Sequence, residues 1–178
     1  GKDLKKYSDN EKRFSVLFSE PVLLNSTINK NIDYLCEVEG IEKFSQEKKK
    51  ELLDKFLINK QLDEKINKLT LCEKRKLAML RAWIKKPEVL FLDDQFVGLD
   101  ENEVDDIKLL YKLFFNEKLV VIAVAENKTI KDNYESFKDL RFNKIVYLSF
   151  SKAYEYDSFD EFFEKKKIQK TKKKTKNF

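Results

Sequence analysis

Two adjacent carboxylates follow an apolar stretch near the middle of the chain. Val89 to Leu92 is a continuous apolar run, Pro87 stands before it, and Asp93 and Asp94 come directly after it. Such a run, preceded by a helix breaker, is typical of a buried strand in a parallel sheet. Carboxylate oxygens are the ligands that Mg²⁺ prefers, and a neighbouring carboxylate can activate a water molecule. The pair therefore predicts metal-assisted hydrolysis, with a simple cap of the strand and its turn as the alternative.

Other polar residues stand where further strands or helices end or begin. Ser19 follows a first apolar strand, Thr70 and Glu73 stand at the start of a helix, and Glu126 follows a third apolar strand. The carboxyl ends of parallel strands meet at one edge of a sheet, where ligands bind. Each residue taken singly is an ordinary strand end or helix start. The order and spacing of the segments are more specific than any one of them.

The acidic strand and the turn after it resemble the Walker B strand and D-loop of ATP-binding cassette (ABC) proteins. The resemblance implies that Asp93 holds Mg²⁺, usually through water, and that Asp94 polarises the attacking water. The family usually carries Glu at the second position, and the shorter side chain withdraws the carboxylate by ~1.5 Å, so reduced activity is expected. Gly98, Leu99 and Asp100 are then the D-loop residues that face a second cassette.

The segment at 69–83 is similar to the ABC signature, whose family form is close to LSGGQ followed by an arginine-rich helix. The family glycines let backbone N–H groups at the helix N-terminus approach the γ-phosphate of ATP held by the opposing subunit. Leu71 and Cys72 stand at those glycine positions, where side chains would crowd a phosphate. Thr70 is the remaining candidate phosphate contact, and Glu73 is a further nucleotide-binding candidate. Without the acidic strand nearby, the same residues would be an ordinary amphipathic helix.

Two further segments resemble family motifs, but the functional residue of each motif is replaced. Residues 16–32 are similar to the Q-loop and the segment that touches the membrane subunit. Ser19 stands at the position of the Q-loop Gln, which makes it a nucleotide-binding candidate, but its side chain is too short to span from the loop to Mg²⁺ and the attacking water. Residues 119–127 are similar to the switch strand, with Glu126 at the switch position in a chain that contains no histidine. An anion ~4 Å from a γ-phosphate is repelled by several kcal/mol at an effective dielectric near 20. The alternative is that Glu126 points to solvent at a strand end.

The elements that position these residues follow from apolar periodicity. Apolar periodicity and the alternation of strands and helices predict a parallel α/β sheet whose acidic strand is buried on both of its faces. The ABC resemblance further implies that the acidic strand lies between the other two. Asp100 and Glu103 predict a capping box at the start of the next helix. One apolar helical face is predicted for Leu52, Leu53, Phe56 and Leu57. The predicted elements are strands at 13–18, 89–92 and 119–124, a mostly helical subdomain at 27–86, a terminal strand pair at 144–150 and 153–156, and a closing helix at 159–167.

The composition limits what else the chain can be. With 178 residues, of which 42% are hydrophobic, it can bury one core. We place a partial nucleotide-binding domain at 1–164 and a basic tail at 165–178, whose eight lysines and lack of acids are typical of disorder. Two cysteines indicate a reducing, cytoplasmic setting rather than a disulfide framework. The longest apolar run, 119–125, is far shorter than the ~20 residues of a membrane helix.

The glycines are too few and too far apart for a phosphate loop of the form G-x-x-x-x-G-K-[ST]. They stand at Gly1, Gly40 and Gly98, and no two are five residues apart. The resemblance therefore implies an α/β, P-loop NTPase-like (ABC cassette) parallel-sheet core with a helical subdomain, missing the P-loop strand and helix in this chain. Without that strand, the strand at 119–124 would be an exposed apolar edge. We expect residues before Gly1 or another chain to complete the sheet.

Three functions stay open at this point. The first is a degenerate ABC-type ATPase subunit or domain of a membrane transporter, weak or inactive in hydrolysis by itself. Its partners would be a membrane-spanning subunit, which holds it at the inner face of the cell membrane, and a second ABC cassette. The second is an active cassette whose Walker A lies upstream or in a partner chain. The third is a soluble ABC-like protein that binds RNA or the ribosome through its lysine tail, which would also attract anionic lipid. ATP and Mg²⁺ are the implied cofactors.

Overall fold

The computed structural model describes residues 14–115, 119–123, 145–149, 152–158 and 160–162. The chain divides into two compact units, Gly1–Asp132 and Asn133–Phe178, and each is described by itself. Two of the predictions, the switch residue Glu126 and the basic tail at 165–178, lie outside the described residues.

Three parallel strands form the sheet of the first unit. They are β1 (Phe14–Leu17), β2 (Val89–Asp93) and β3 (Leu119–Ala123), in the order β1-β2-β3. β2 pairs in parallel with β1 on one side and with β3 on the other. The predicted position of the acidic strand between the other two is confirmed, and its carboxylates fall at the carboxyl end of the central strand.

Helices occupy the chain between β1 and β2. They are α1 (Ile28–Glu39), α2 (Gln46–Lys55), a short 3₁₀ turn (Ile66–Lys68) and α3 (Leu71–Lys85). Each α-helix begins after a hydroxyl residue whose oxygen accepts a backbone N–H three residues further on, namely Thr27, Ser45 and Thr70. α1 ends at Gly40, which adopts a left-handed φ of 65°. The predicted, mostly helical segment at 27–86 is confirmed.

α3 lies at the centre of the core, between the other helices. Leu77 and Leu80 are completely buried. Trp83 packs edge-on against Phe56 after α2 and Phe114 of α4 (Glu101–Phe115), with ring centroids 6.2 and 5.6 Å apart. Edge-to-face aromatic pairs of this kind add about 0.5–1.5 kcal/mol each to the burial of the rings. The aromatic contacts therefore fix α3 against both α2 and α4.

A buried lysine ties the end of α2 to α3 and α4. Lys76 of α3 lies 2.6 Å from the carboxylate of Asp106 and donates to the Leu57 carbonyl at 3.1 Å. Leu57 follows α2 with a left-handed φ of 55°, and its side chain is 37% exposed. The prediction that Leu57 shares a buried helical face is wrong, because the helix ends at Lys55 and the chain turns away. The other three residues of that predicted face are buried.

The two faces of the sheet differ in burial. Leu90 and Leu92 of β2 are completely buried, whereas Phe91 between them is 40% exposed. Val16, which pairs with Phe91 on β1, is 39% exposed. The prediction that this strand is buried on both faces is therefore wrong for the part of the chain that the structure describes. Successive side chains of a strand point to opposite faces of the sheet, so complete burial is confined to the face that carries Leu90 and Leu92.

The second unit contains an antiparallel strand pair. β4 (Ile145–Ser149) pairs with β5 (Lys152–Tyr156), which confirms the predicted terminal pair. Tyr156 packs edge-on against Phe162, with ring centroids 5.3 Å apart, and residues 160–162 are helical. The remainder of the predicted closing helix lies outside the described residues. Within the described ranges, no helix has both the length and the apolar character needed to cross a membrane.

Candidate functional site

Asp93 and Asp94 lie where the central strand ends. Asp93 is the last residue of β2 and is exposed, and Asp94 begins the turn with a left-handed φ of 47°. Aspartate is one of the few residues besides glycine that adopt this conformation readily. The Val97 N–H closes the turn by donating to the Asp94 carbonyl at 3.3 Å. Both residues thus stand at the edge of the sheet where α/β proteins bind ligands.

The Asp93 carboxylate fits a hydrated Mg²⁺ better than a bare one. Mg²⁺ is commonly bound through one or two carboxylates, several waters and phosphate oxygens. Within the described ranges, no three Cys, Asp or Glu side chains stand close enough together to hold a metal by themselves. A cation at Asp93 therefore needs water and phosphate oxygens as its further ligands.

The turn after Asp94 contains the three predicted interface residues. Gly98 has a left-handed φ of 76°, and a Cβ built there would lie 3.5 Å from the Leu71 side chain, an ordinary contact. The backbone conformation, rather than lack of space, therefore favours glycine. Gly98 and Asp100 are exposed and Leu99 is half-buried, so the turn is accessible to a second protein.

The start of α4 is capped as the sequence predicts. The Asp100 N–H donates to the Glu103 carboxylate at 3.2 Å, and the Glu103 N–H donates to the Asp100 carboxylate at 2.9 Å. This reciprocal pair is a capping box and is confirmed. It holds the Asp100 side chain at the first turn of α4.

A second capping box closes the start of α3. The Thr70 N–H donates to the Glu73 carboxylate at 2.8 Å, and the Glu73 N–H donates to the Thr70 hydroxyl oxygen at 3.2 Å. The Glu73 carboxylate also lies 3.4 Å from the Lys60 ammonium. The two residues predicted to contact a nucleotide are thus bonded to each other, and a negative charge occupies the positive end of the helix. A phosphate arriving at this helix end would compete with that carboxylate.

Side chains fill the two positions at which the predicted signature has glycines. Cys72 is buried, and burial raises the pKa of its thiol to about 11. The thiol is therefore neutral and a poor nucleophile near pH 7. Leu71 is half-buried, and its side chain would lie 3.5 Å from a Cβ at Gly98. The first turn of α3 thus lies close to the turn that follows the acidic strand.

Sequence reasoning missed a buried arginine behind these turns. Arg75 is 1% exposed; its Nε and Nη2 donate to the Ser19 carbonyl at 3.0 and 2.8 Å. Its Nη1 donates to the carbonyls of Gln95 at 3.0 Å and Val97 at 2.8 Å. Burial lowers the pKa of the guanidinium. Ser19, predicted as a nucleotide contact, thus enters the site through its main-chain carbonyl.

A signal for the burial of Arg75 was present in the sequence. Cys72 and Met79 stand three residues before and four residues after Arg75, and both are buried. Positions with this spacing share one face of a helix, so the apolar neighbours place the arginine on the buried face of α3.

Gln95 is a second buried polar side chain at the same place. It is 2% exposed, and its amide nitrogen donates to the carbonyls of Leu17 and Asp93, each at 2.9 Å. The carboxamide therefore joins the ends of β1 and β2 directly. Together, Gln95 and Arg75 bind main-chain carbonyls on both sides of Asp94. We call the end of β2 at Asp93 and Asp94 the acidic corner.

A groove of about 330 Å³ opens beside β1, bounded by the loop after it and by α1 and α3. Six apolar side chains at the groove are more than a third exposed: Phe14, Val16, Phe18, Val22, Tyr34 and Val38. Arg81 lines the groove and donates to the Val22 carbonyl at 3.0 Å, and burial lowers the pKa of its guanidinium. An ion pair between Lys85 and Glu39, with 3.1 Å between nitrogen and oxygen, lies at the same groove. The groove is thus lined by apolar side chains together with three charged ones, Glu39, Arg81 and Lys85.

Comparison with known proteins decides the family. The profile of the ABC transporter family matches residues 1–97, more than half of the chain. The chain belongs to the ABC transporter family. It is 27% identical over 172 residues to the sublancin-168-processing and transport ATP-binding protein SunT of the Bacillus subtilis SPbeta prophage, covering 88% of this chain and 23% of SunT.

Two further relatives are import or energy-coupling proteins by name. The energy-coupling factor transporter ATP-binding protein EcfA3 of Oenococcus oeni is 28% identical over 131 residues, covering 70% of this chain and 43% of EcfA3. The methionine import ATP-binding protein MetN of Staphylococcus haemolyticus is 28% identical over 106 residues, covering 58% and 31% respectively. The chain thus spans less than half the length of each of these relatives.

The observed secondary structure agrees with membership in the ABC transporter family. The family implies a P-loop NTPase-like fold, with which the small parallel sheet of this mixed α/β chain agrees. ATP and Mg²⁺ are the ligands that ABC proteins use in general. The structure brings the ends of β1 and β2 together with α3 through Arg75 and Gln95.

Proposed function

We propose that this chain is the ATP-binding cassette part of a membrane transporter, and that it hydrolyses ATP weakly or not at all by itself. The capping box of α3 carries the proposal of weak hydrolysis. Glu73 holds a carboxylate at the helix end that, by the resemblance, receives the γ-phosphate of the opposing cassette's ATP. Like charges ~4 Å apart repel by several kcal/mol at an effective dielectric near 20. A phosphate therefore binds there only if Glu73 is displaced or neutralised.

The acidic corner supports the same proposal. When ATP and Mg²⁺ are bound, they supply the phosphoryl group and the charge that polarises it. Asp93 would orient the hydrated cation, and Asp94 would hold the proton of the attacking water. The Asp94 side chain is one methylene shorter than the family's Glu, so its carboxylate falls short of the position that a Glu would reach. The proposed Glu126 at the switch position would add a further negative charge near the phosphate.

The groove beside β1 supports docking to a membrane-spanning subunit. We infer that a short amphipathic helix on the cytoplasmic side of that subunit inserts apolar side chains between Phe18, Val22 and Tyr34. Contiguous apolar patches rimmed by polar groups are typical of protein interaction sites. Such a contact would hold the chain peripherally at the inner face of the membrane. The turn at 98–100 would face a second cassette.

Docking is tested by retention of the chain on membranes that contain the assembled transporter. Val22→Asp and Tyr34→Asp should each lower retention, because a buried unpaired charge opposes the apolar contact. Leu109→Asp is the matched control, since Leu109 is exposed on α4 away from the groove-lining residues. Equal retention of all three variants would contradict the docking proposal.

Hydrolysis is tested on the full-length protein that contains this chain, in its assembled form. We expect slow ATP turnover, a rise in turnover for Glu73→Gln, and loss of the remainder for Asp94→Asn, whose side chain also tolerates the left-handed backbone. Glu101→Gln, which changes an exposed acid at the start of α4, is the matched control. Wild-type turnover on the order of 10 s⁻¹, a typical enzyme value, that is abolished by Asp94→Asn would instead favour the active cassette.

A further inference from the structure

The buried guanidinium of Arg75 spans two segments that are far apart in the sequence. On one side it binds the Ser19 carbonyl through two nitrogens. On the other side a third nitrogen binds the carbonyls of Gln95 and Val97. We propose that Arg75 is a positioning residue that links the segment after β1, at the edge of the groove, to the turn between Asp94 and Gly98.

The geometry of the guanidinium makes this link stiff. Its donors lie in one plane in a fixed fork, so a shift of the Ser19 carbonyl either breaks hydrogen bonds or moves the whole group. Each broken hydrogen bond leaves a carbonyl oxygen without its donor and the buried guanidinium without an acceptor, and both effects are unfavourable. The turn therefore moves with the segment after β1 as one unit.

The link connects two surfaces with different proposed uses. Phe18, directly before Ser19, lines the groove, whereas Gln95 and Val97 stand between Asp94 and the exposed turn at Gly98. A partner that displaces Phe18 pulls on the Ser19 carbonyl and through it on this turn. The Ser19 side chain is not needed for this route, because its main-chain oxygen makes the contact. The use of the link in a transporter rests on the proposed function, but the link itself does not.

The test measures amide hydrogen exchange of the full chain, without nucleotide or partner, in peptides covering 16–22, 95–101 and α1. Arg75→Met should speed exchange in the first two peptides together, by on the order of tenfold or more, and leave α1 unchanged. Arg75→Lys should give an intermediate effect, because one ammonium cannot reproduce the planar fork. Lys76→Met is the matched control, since Lys76 is buried on the same helix but binds Asp106 and Leu57 instead.

A double-mutant cycle separates linkage from general destabilisation. Phe18→Ala should change exchange at 95–101 in the native background by a few-fold and have a clearly smaller effect with Arg75→Lys, which keeps only part of the link. Tyr34→Ala, at the same groove but on α1, should leave 95–101 unchanged in both. The proposal is overturned if Phe18→Ala acts equally in both backgrounds, or if Lys76→Met accelerates the same two peptides. No arm needs ATP turnover, so a failed ATPase proposal does not affect the outcome.

Discussion

Removing the negative charge at the start of α3 should weaken folding slightly while making the helix end more accessible to phosphate. In Glu73→Gln the amide oxygen can still accept the Thr70 N–H, which now binds the carboxylate at 2.8 Å. What is lost is the attraction of the charge to the helix dipole, about 0.3–1 kcal/mol, and to Lys60, about 0.2–1 kcal/mol for a partly exposed pair. We therefore expect the free energy of unfolding to fall by about 0.5–2 kcal/mol.

Urea unfolding followed by Trp83 fluorescence measures this change. Trp83 is the single tryptophan, and it packs between Phe56 and Phe114, so its emission reports the docking of α3. Glu73→Ala should cost about 1 kcal/mol more than Glu73→Gln, because it also removes the capping bond. Lys60→Met combined with Glu73→Gln isolates the ion pair. Equal losses for the Gln and Ala variants would refute the separate contributions of charge and hydrogen bond assigned here.

Three further predictions concern buried hydrogen bonds, glycine conformation and a buried thiol. Gln95→Ala removes two hydrogen bonds to main-chain carbonyls and should lower the free energy of unfolding, measured in urea, by about 1–3 kcal/mol. Gly98→Ala and Gly40→Ala should each lower the free energy of unfolding by about 1 kcal/mol, because both glycines have a positive φ and an added Cβ would clash at neither. A much larger loss at Gly98 would show that space also matters there. Burial raises the pKa of the Cys72 thiol from 9.0 to about 11, so the folded state binds this proton more tightly than the unfolded state. The resulting stabilisation is fully present below pH 9 and should be lost as the pH rises towards 11. Cys72→Ala should flatten that part of the pH profile, and iodoacetamide at pH 8 should label Cys72 in urea but not in the folded chain.

The parallel arrangement of the three strands was predictable because each is a short apolar run separated from the next by a helical stretch, whereas their order came from the resemblance to ABC proteins. The carboxylates that follow Val89 to Leu92 were therefore expected at the carboxyl end of a strand, where the structure places them. The burial of each strand face was not predictable. A continuous apolar run such as Val89 to Leu92 is compatible with burial on one face or on both, and only the packing of α3 and α4 decides between them.

The N-termini of α3 and α4 show which local sequence patterns are sufficient to predict a helix cap. The capping box at Asp100 and Glu103 was expected from the spacing of two acids, and the structure contains it. Thr70 and Glu73 have the same three-residue spacing and match the Ser/Thr-x-x-Glu form of the capping box, but they were interpreted as phosphate contacts because they lie in the segment that resembles the signature. For the left-handed conformation of Asp94, the residue type was a weak signal, because aspartate only tolerates this conformation.

The proposed weak hydrolysis has two candidate causes at the α3 helix end, the charge of Glu73 and steric crowding. The crowding argument rests on Leu71 and Cys72, and the charge argument rests on Glu73. Cys72 points into the core, as its burial shows, so its side chain leaves the approach of a phosphate largely clear. Exchanging one anionic acceptor for another at the same N–H groups gains little net free energy, even where space allows it. Charge is therefore the larger obstacle, and Glu73→Gln should raise turnover more than Leu71→Gly. The opposite order in the assembled protein would assign the defect to crowding by Leu71.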